Sequence, residues 1–175
     1  MDKLKSFWEK QKEYIIPPKR AILYALVVVV LILADQAVKE YARICMEAGR
    51  SFVLIPHVVE FVYVENTGAA FGMLGGMRIL LVSISVIAML LIGFVIYVGY
   101  FKSWITVWSL VFVLGGAIGN LIDRALCGYV VDMFNLLFMD FAVFNFADCL
   151  ICVGCVLMII YVLLEDIMKK KKNRD

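Results

Sequence analysis

Histidine is nearly absent from this 175-residue chain, with His57 the single example. That removes most ways of building a zinc site, which draws nitrogen and sulfur ligands from more than one element. The five cysteines do not fill the gap. Cys149, Cys152 and Cys155 recur at every third position of one apolar run and read as small packing residues. An odd number of cysteines also excludes a complete disulfide framework, leaving Cys45 and Cys127 open to pairing. Neither a metal nor a cofactor is expected. Charge is scarce too, at 18% of residues, and the stretch from Ile79 to Phe101 has none. No internal repeat is present, and no low-complexity linker beyond a lysine-rich end. No small-residue cleavage site follows the long basic start, so a removed leader is not expected.

What the chain has instead is apolar length. Hydrophobic residues make up 64% of it, against roughly 45–50% in a soluble domain, and the mean hydropathy is +0.94. A hydrocarbon core about 30 Å thick takes about 20 apolar residues per helix. Four segments meet that length: Ala21 to about Val38, Ile79 to Phe101, Trp104 to Ile122, and about Phe141 to Leu164. The expected fold is an all-α membrane protein, a four-transmembrane-helix bundle. Residues 1–20 form a basic segment, read either as an amphipathic stretch lying on the membrane surface through Leu4, Phe7 and Trp8 or as a partly ordered basic tail. Residues 21–164 make a single membrane domain, and 165–175 a basic tail.

Orientation follows from the positive residues. Lys3, Lys5, Lys10, Lys12, Lys19 and Arg20 precede the first span, and Lys169, Lys170, Lys171, Lys172 and Arg174 follow the last. Lys102 sits alone between spans two and three. Cytoplasmic flanks are enriched in Lys and Arg, and four spans put both ends on one side, so both termini are expected in the cytoplasm. The net charge of +2 is then explained by topology and gives no reason to invoke nucleic acid.

With that orientation, four carboxylates gather at the outer face. Asp35 ends the first span, Asp123 ends the third, Asp132 follows in the outer loop, and Asp148 lies near the start of the fourth. A carboxylate at membrane depth costs at least about 2.5–3.5 kcal/mol and is a functional candidate by default. Asp132 and Asp148 form the strongest pair. Two close carboxyls in a low-dielectric site share a proton, so one serves as base to a water while the other protonates a carbonyl. The competing reading is a set of solvated or Arg-paired carboxylates, and Asp123 beside Arg124 fits it. A proton-relay transporter would spread its carboxylates across the bilayer. A non-enzymatic assembly or chaperone subunit with a polar rim is a further alternative. Ser83 and Ser85 lie mid-span near no candidate base.

The outer segments are short. Phe52–Ile55 and Val58–Glu65 are rich in β-branched and aromatic residues, broken by Pro56 and closed by Asn66-Thr67-Gly68, so a small β-element is expected over about 50–75. Met133 to Phe138 is expected as an interfacial turn or short helix. Gly115, Gly116 and Gly119 give span three a face for close helix packing.

Five motifs in order carry a resemblance. They are Asp35-Gln36 with Lys39, Glu65-Asn66-Thr67-Gly68-Ala69-Ala70-Phe71-Gly72, Gly115 through Arg124, Gly128-Tyr129-Val130-Val131-Asp132, and Phe144-Asn145-Phe146-Ala147-Asp148. Together they resemble bacterial lipoprotein signal peptidase, the type II signal peptidase, over nearly all of the membrane core. The resemblance implies an aspartyl endopeptidase that removes signal peptides from prolipoproteins. Cleavage falls just before a cysteine carrying diacylglycerol. The implied catalytic residues are Asp132 and Asp148. Asp35, Lys39, Asn66, Gly68, Asn120, Asp123, Arg124, Asn145 and Ala147 fall on support or substrate-contact positions. It further implies a β-cradle and short interfacial helix on the outer face, inhibition by globomycin, a diacylated prolipoprotein and membrane lipids as partners, and a monomer in the bacterial cytoplasmic membrane. Cys149 stands where the family usually has Ser.

Overall fold

The structure is a computed structural model that describes residues 16–46, 51–68, 75–101 and 103–172. The amphipathic start, Lys102, the Ala69–Gly72 part of the second motif, and the side chains of Cys45 and the lysine-rich end lie outside the described residues. Among the described residues, four helices are long and apolar enough to span a membrane. They are α1 (Pro18–Met46), α2 (Arg78–Tyr97), α3 (Trp104–Leu126) and α4 (Phe146–Lys172). Between α1 and α2 lie strands β1 (Phe52–Ile55) and β2 (Val59–Asn66), and between α3 and α4 lies β3 (Val130–Leu136).

The 29 residues of α1 run about 43 Å at 1.5 Å each, more than a hydrocarbon core of about 30 Å requires. Its last turns carry Asp35, Lys39 and Ala42, and the sheet packs there. The α3 helix is the centre of the bundle and touches the other three. Small residues make this possible. A Cβ at Gly116 would meet the carbonyl of Ala147, and one at Gly119 would meet the Asp35 carboxylate. At Gly154 of α4, a Cβ would come 2.6 Å from the carbonyl of Ser109. Backbones this close gain dispersion that lipid cannot supply. The outward faces, such as Val30, Leu33, Leu90, Phe94 and Leu163, are exposed and apolar, as lipid contact requires.

The sheet is antiparallel in the order β1-β2-β3. Phe61, Val131 and Met133 pack with Ala42 of α1 into a small core beneath it. Strand alternation then turns Asp132, opposite Val64 in the register, to the other face. Met133–Phe138 is therefore not an interfacial helix. Val130-Val131 begins a strand whose backbone pairs with β2 from Asn66↔Val130 to Val59↔Leu136. Cross-strand pairing and the buried pair Val131 and Met133 outweigh the weak helical tendency of so short a segment. The fourth helix likewise begins at Phe146, not Phe141, because Phe144 bridges to Phe134 of β3. His57 sits in the β1–β2 turn with φ 60°.

Candidate functional site

All four carboxylates lie at the sheet end of the bundle, joined by one polar network. At its base is a buried ion triad. The Lys39 ammonium lies 2.8 Å from Asp35 and 3.1 Å from Asp123, and donates to the side-chain carbonyl of Asn120 at 2.9 Å. Lys39 is 1% exposed and Asp35 0%, so all three ammonium protons are committed inside the protein. Asp35 and Lys39 sit one helical turn apart on α1, which aims both at α3. Gln36 adds a clasp, its amide donating to Asp35, to the Gly119 carbonyl and to Asp123 at 3.1–3.2 Å.

The two aspartates of the triad hold backbone as well. Asp35 accepts the N–H of Ala147 at 2.9 Å, and Asp123 accepts the N–H of Val131 at 3.2 Å. Arg124 does not pair with Asp123, contrary to the expectation from their adjacency. Lys39 takes that carboxylate, while Arg124 turns toward the cavity and donates weakly to the Gly68 carbonyl at 3.4 Å. Its buried Nε finds no partner among the described residues.

Above the triad, three asparagines reach Asp132 and Asp148. Asn66 donates to one oxygen of Asp132 at 2.9 Å and Asn145 to the other at 2.6 Å. Asn120 donates to Asp148 at 2.8 Å. Each asparagine is forced into this orientation. The carbonyl oxygen of Asn66 accepts the Gly68 N–H in a local turn. That of Asn145 accepts the Asp148 N–H, and that of Asn120 accepts from Lys39. With every carbonyl taken by an obligate donor, each NH2 group must face a carboxylate.

Asn145 also organises the entry to α4. Its side chain caps the Asp148 N–H at 3.0 Å while the Asp148 carboxylate accepts the Asn145 N–H at 3.2 Å. This is a reciprocal capping box, and it leaves the second oxygen of Asp148 for Asn120. Burial, partly offset by the two asparagine hydrogen bonds, raises the pKa of Asp132 to about 6.

Asp132, Asp148, Asn66, Asn120, Arg124 and Asn145 line one cavity of about 300 Å³, walled by Val130, Phe141, Phe144 and Ile151. Gly68 and Ala147 enter through their backbone, and Asp35, Lys39 and Asp123 lie behind the wall. Two contributors have no role assigned from the sequence. Gln36 stands in the first motif without one, three residues before Lys39 on α1. Arg78, at the start of α2, donates to the carbonyls of Arg124 and Ala125 at 2.8 and 2.6 Å. No local pattern marks it, because its partners lie in another span.

Cys127 is a free thiol and Cys149 lies on α4 beside Asp148. Among the described residues no group of three or more His, Cys, Asp and Glu is arranged to hold a metal.

Residues 27–164 match the family model described as signal peptidase (SPase) II. A lipoprotein signal peptidase of Lactobacillus gasseri is 38% identical over 147 residues, covering 83% of this chain and 96% of that protein. The Enterococcus faecalis lipoprotein signal peptidase is 38% identical, covering 87% and 95%. A solved structure described as a bacterial membrane enzyme superposes with a TM-score of 0.76 at 28% identity, over 87% of this chain and 93% of that one. A second, so described, gives 0.73 at 29% identity, over 86% and 96%.

Proposed function

The chain belongs to the signal peptidase II family, and from that premise we propose that it is an aspartic endopeptidase whose catalytic pair is Asp132 and Asp148. It is a multi-pass bacterial membrane protein that removes signal peptides from prolipoproteins. The aspartic mechanism rests above all on three oriented amide donors converging on two carboxyls in one cavity.

In this reading Asp148 accepts a proton from a water whose oxygen attacks the scissile carbonyl. Asp132, the carboxyl that burial holds protonated up to about pH 6, gives its proton to the carbonyl oxygen. The tetrahedral intermediate collapses as Asp148 passes its proton to the peptide nitrogen, Asp132 takes one back from a hydroxyl of the intermediate, and the C–N bond breaks. The Asn66, Asn120 and Asn145 amides hold the pair in place while charge moves between them. Arg124, whose buried Nε has no partner among the described residues, binds a substrate carbonyl.

The substrate is a prolipoprotein whose cysteine carries diacylglycerol, cut just before that cysteine. A lipid anchor confines the cysteine to one leaflet, so its scissile bond waits at the depth of the carboxyls and the enzyme has mainly to orient it. The basic ends support a topology with both termini in the cytoplasm and the site toward the outer face. Residues 21–164 act as one catalytic domain, and the enzyme works as a monomer. Purified protein is expected to cleave a diacylated prolipoprotein. Asp132→Asn and Asp148→Asn should each lose nearly all turnover, and near-wild-type turnover in both would sink the assignment.

A further inference from the structure

A peptide that lies across Asp132 meets two hollows. The cavity already described and an open cleft of about 300 Å³ share Asn66, Asp132, Ala142 and Val143. The cleft continues along Val64, Glu65 and Thr67 at the end of β2. The cavity continues to Ile151 and Cys152 on α4. Ala142 and Val143 therefore form the shared rim of a continuous path with Asp132 at its middle.

That rim has a specific chemical character. Phe144 is fixed to β3, its carbonyl accepting from Met133 and Phe134 at 2.9 and 2.8 Å and its N–H donating to Phe134 at 3.1 Å. The bridge runs antiparallel. The two residues before it are half-buried, yet neither makes a backbone hydrogen bond with any described residue. Unpaired among the described residues and bordering both hollows, these peptide groups are open to a partner beside a candidate catalytic carboxyl. A chain laid alongside them would supply it and bring its own peptide bond to Asp132.

We propose that Ala142 and Val143 bind the substrate polypeptide as an added strand, pairing with its backbone on the path that joins the two hollows through Asp132. This rests on the peptidase reading and adds the form in which the substrate is held. Main-chain pairing gives affinity without demanding particular side chains. An α-helical signal peptide must then unwind at its end before it is cut.

The test uses wild-type protein in lipid and synthetic diacylated lipopeptides, each with one backbone amide near the scissile bond replaced by an ester. Losing one such hydrogen bond lowers kcat/KM about fivefold, and a strand should show the loss at alternate positions. Val143→Pro, which removes one N–H of the rim, should lower kcat/KM on the unmodified lipopeptide about fivefold. Uniform losses, no loss at any position, or losses spaced three to four residues apart overturn the added strand. If Val143→Pro fails to fold, the ester series decides alone. Failure of the underlying reading looks different: the unmodified lipopeptide is not cleaved, or Asp132→Asn cleaves it as well as wild type.

Discussion

Asp35 and Asp123 each hold the peptide N–H of the residue immediately preceding a candidate catalytic aspartate. Asp35 grips Ala147, which precedes Asp148, and Asp123 grips Val131, which precedes Asp132. Lys39 joins the two grips within 2.8 and 3.1 Å. The pair on the cavity side is thus set by the pair behind it, through backbone rather than side chains. That explains two costly buried carboxylates that cannot themselves reach a substrate.

The triad gives a first prediction. Lys39→Ala leaves Asp35 and Asp123 buried without a cation, and breaking a buried pair this way costs about 3–5 kcal/mol. Thermal unfolding in detergent should show a large fall in Tm. Adding Asp35→Asn and Asp123→Asn should recover part of the Tm but not the cleavage rate, since neutral amides hold the two N–H groups less firmly. Equal recovery of both would contradict the positioning role.

Close packing gives a second. A methyl at Gly119 would meet the Asp35 carboxylate, and one at Gly116 would meet the Ala147 carbonyl. Gly119→Ala should therefore reduce turnover at least tenfold by displacing Asp35 from Ala147, a loss worth about 1.4 kcal/mol of barrier. Gly115→Ala, whose methyl would meet only Leu31 side-chain atoms at 3.1 Å, should be milder in a cleavage assay. Reversal of that order would count against the packing account.

Protonation gives a third. The raised pKa of Asp132, about 6 against an ordinary carboxyl value of 3.8, means that folding takes up a proton between those values. Its favourable contribution to stability is complete below 3.8 and is lost as pH rises through about 6. Comparing Tm across pH for wild type and Asp132→Asn isolates this: the wild-type curve should fall more steeply between about pH 4 and 7. Activity should be bell-shaped, its alkaline limb beginning above about pH 6 as Asp132 loses its proton. A flat profile from acid to alkaline pH would remove the proton-sharing pair.

Two arginines should separate by kinetic signature. Arg124, in the cavity wall, has a buried Nε with no partner among the described residues, so Arg124→Lys should lower kcat/KM about tenfold, chiefly through KM, as loss of a charged hydrogen bond to substrate does. Arg78 instead satisfies the last carbonyls of α3. Arg78→Ala should lower stability by about 1–3 kcal/mol and leave KM of the surviving enzyme near wild type. A KM effect at Arg78 larger than at Arg124 would reverse these roles.

The sequence made much of the fold legible because the bilayer reads composition directly. Long apolar runs without charge can only be spans, and helices follow because no water is present to satisfy a free backbone. The glycines of α3 announced a close interface by their spacing. The motifs located Asp132, Asp148 and their asparagines. Less legible were features set by contacts distant in the chain. Val130–Leu136 is a strand because β2 lies beside it, although Met133–Phe138 alone is ambiguous. Asp123 pairs with Lys39 rather than its neighbour Arg124 because α1 and α3 pack through glycine.

By itself the sequence determined that this chain spans a membrane four times and that the span ends carrying Asp35, Asp123 and Asp148 share one side. Hydropathy and the count of spans require both. Only the tertiary structure decided which carboxylates face the cavity and which lie behind it. That division depends on where α1 crosses α3 and which face of β3 turns inward. It also decided the orientation of the three asparagines, because the donor fixing each one comes from a turn, a helix cap or another helix. Periodicity is local and can be read along the chain; the direction of a hydrogen bond between distant segments exists only once they are packed.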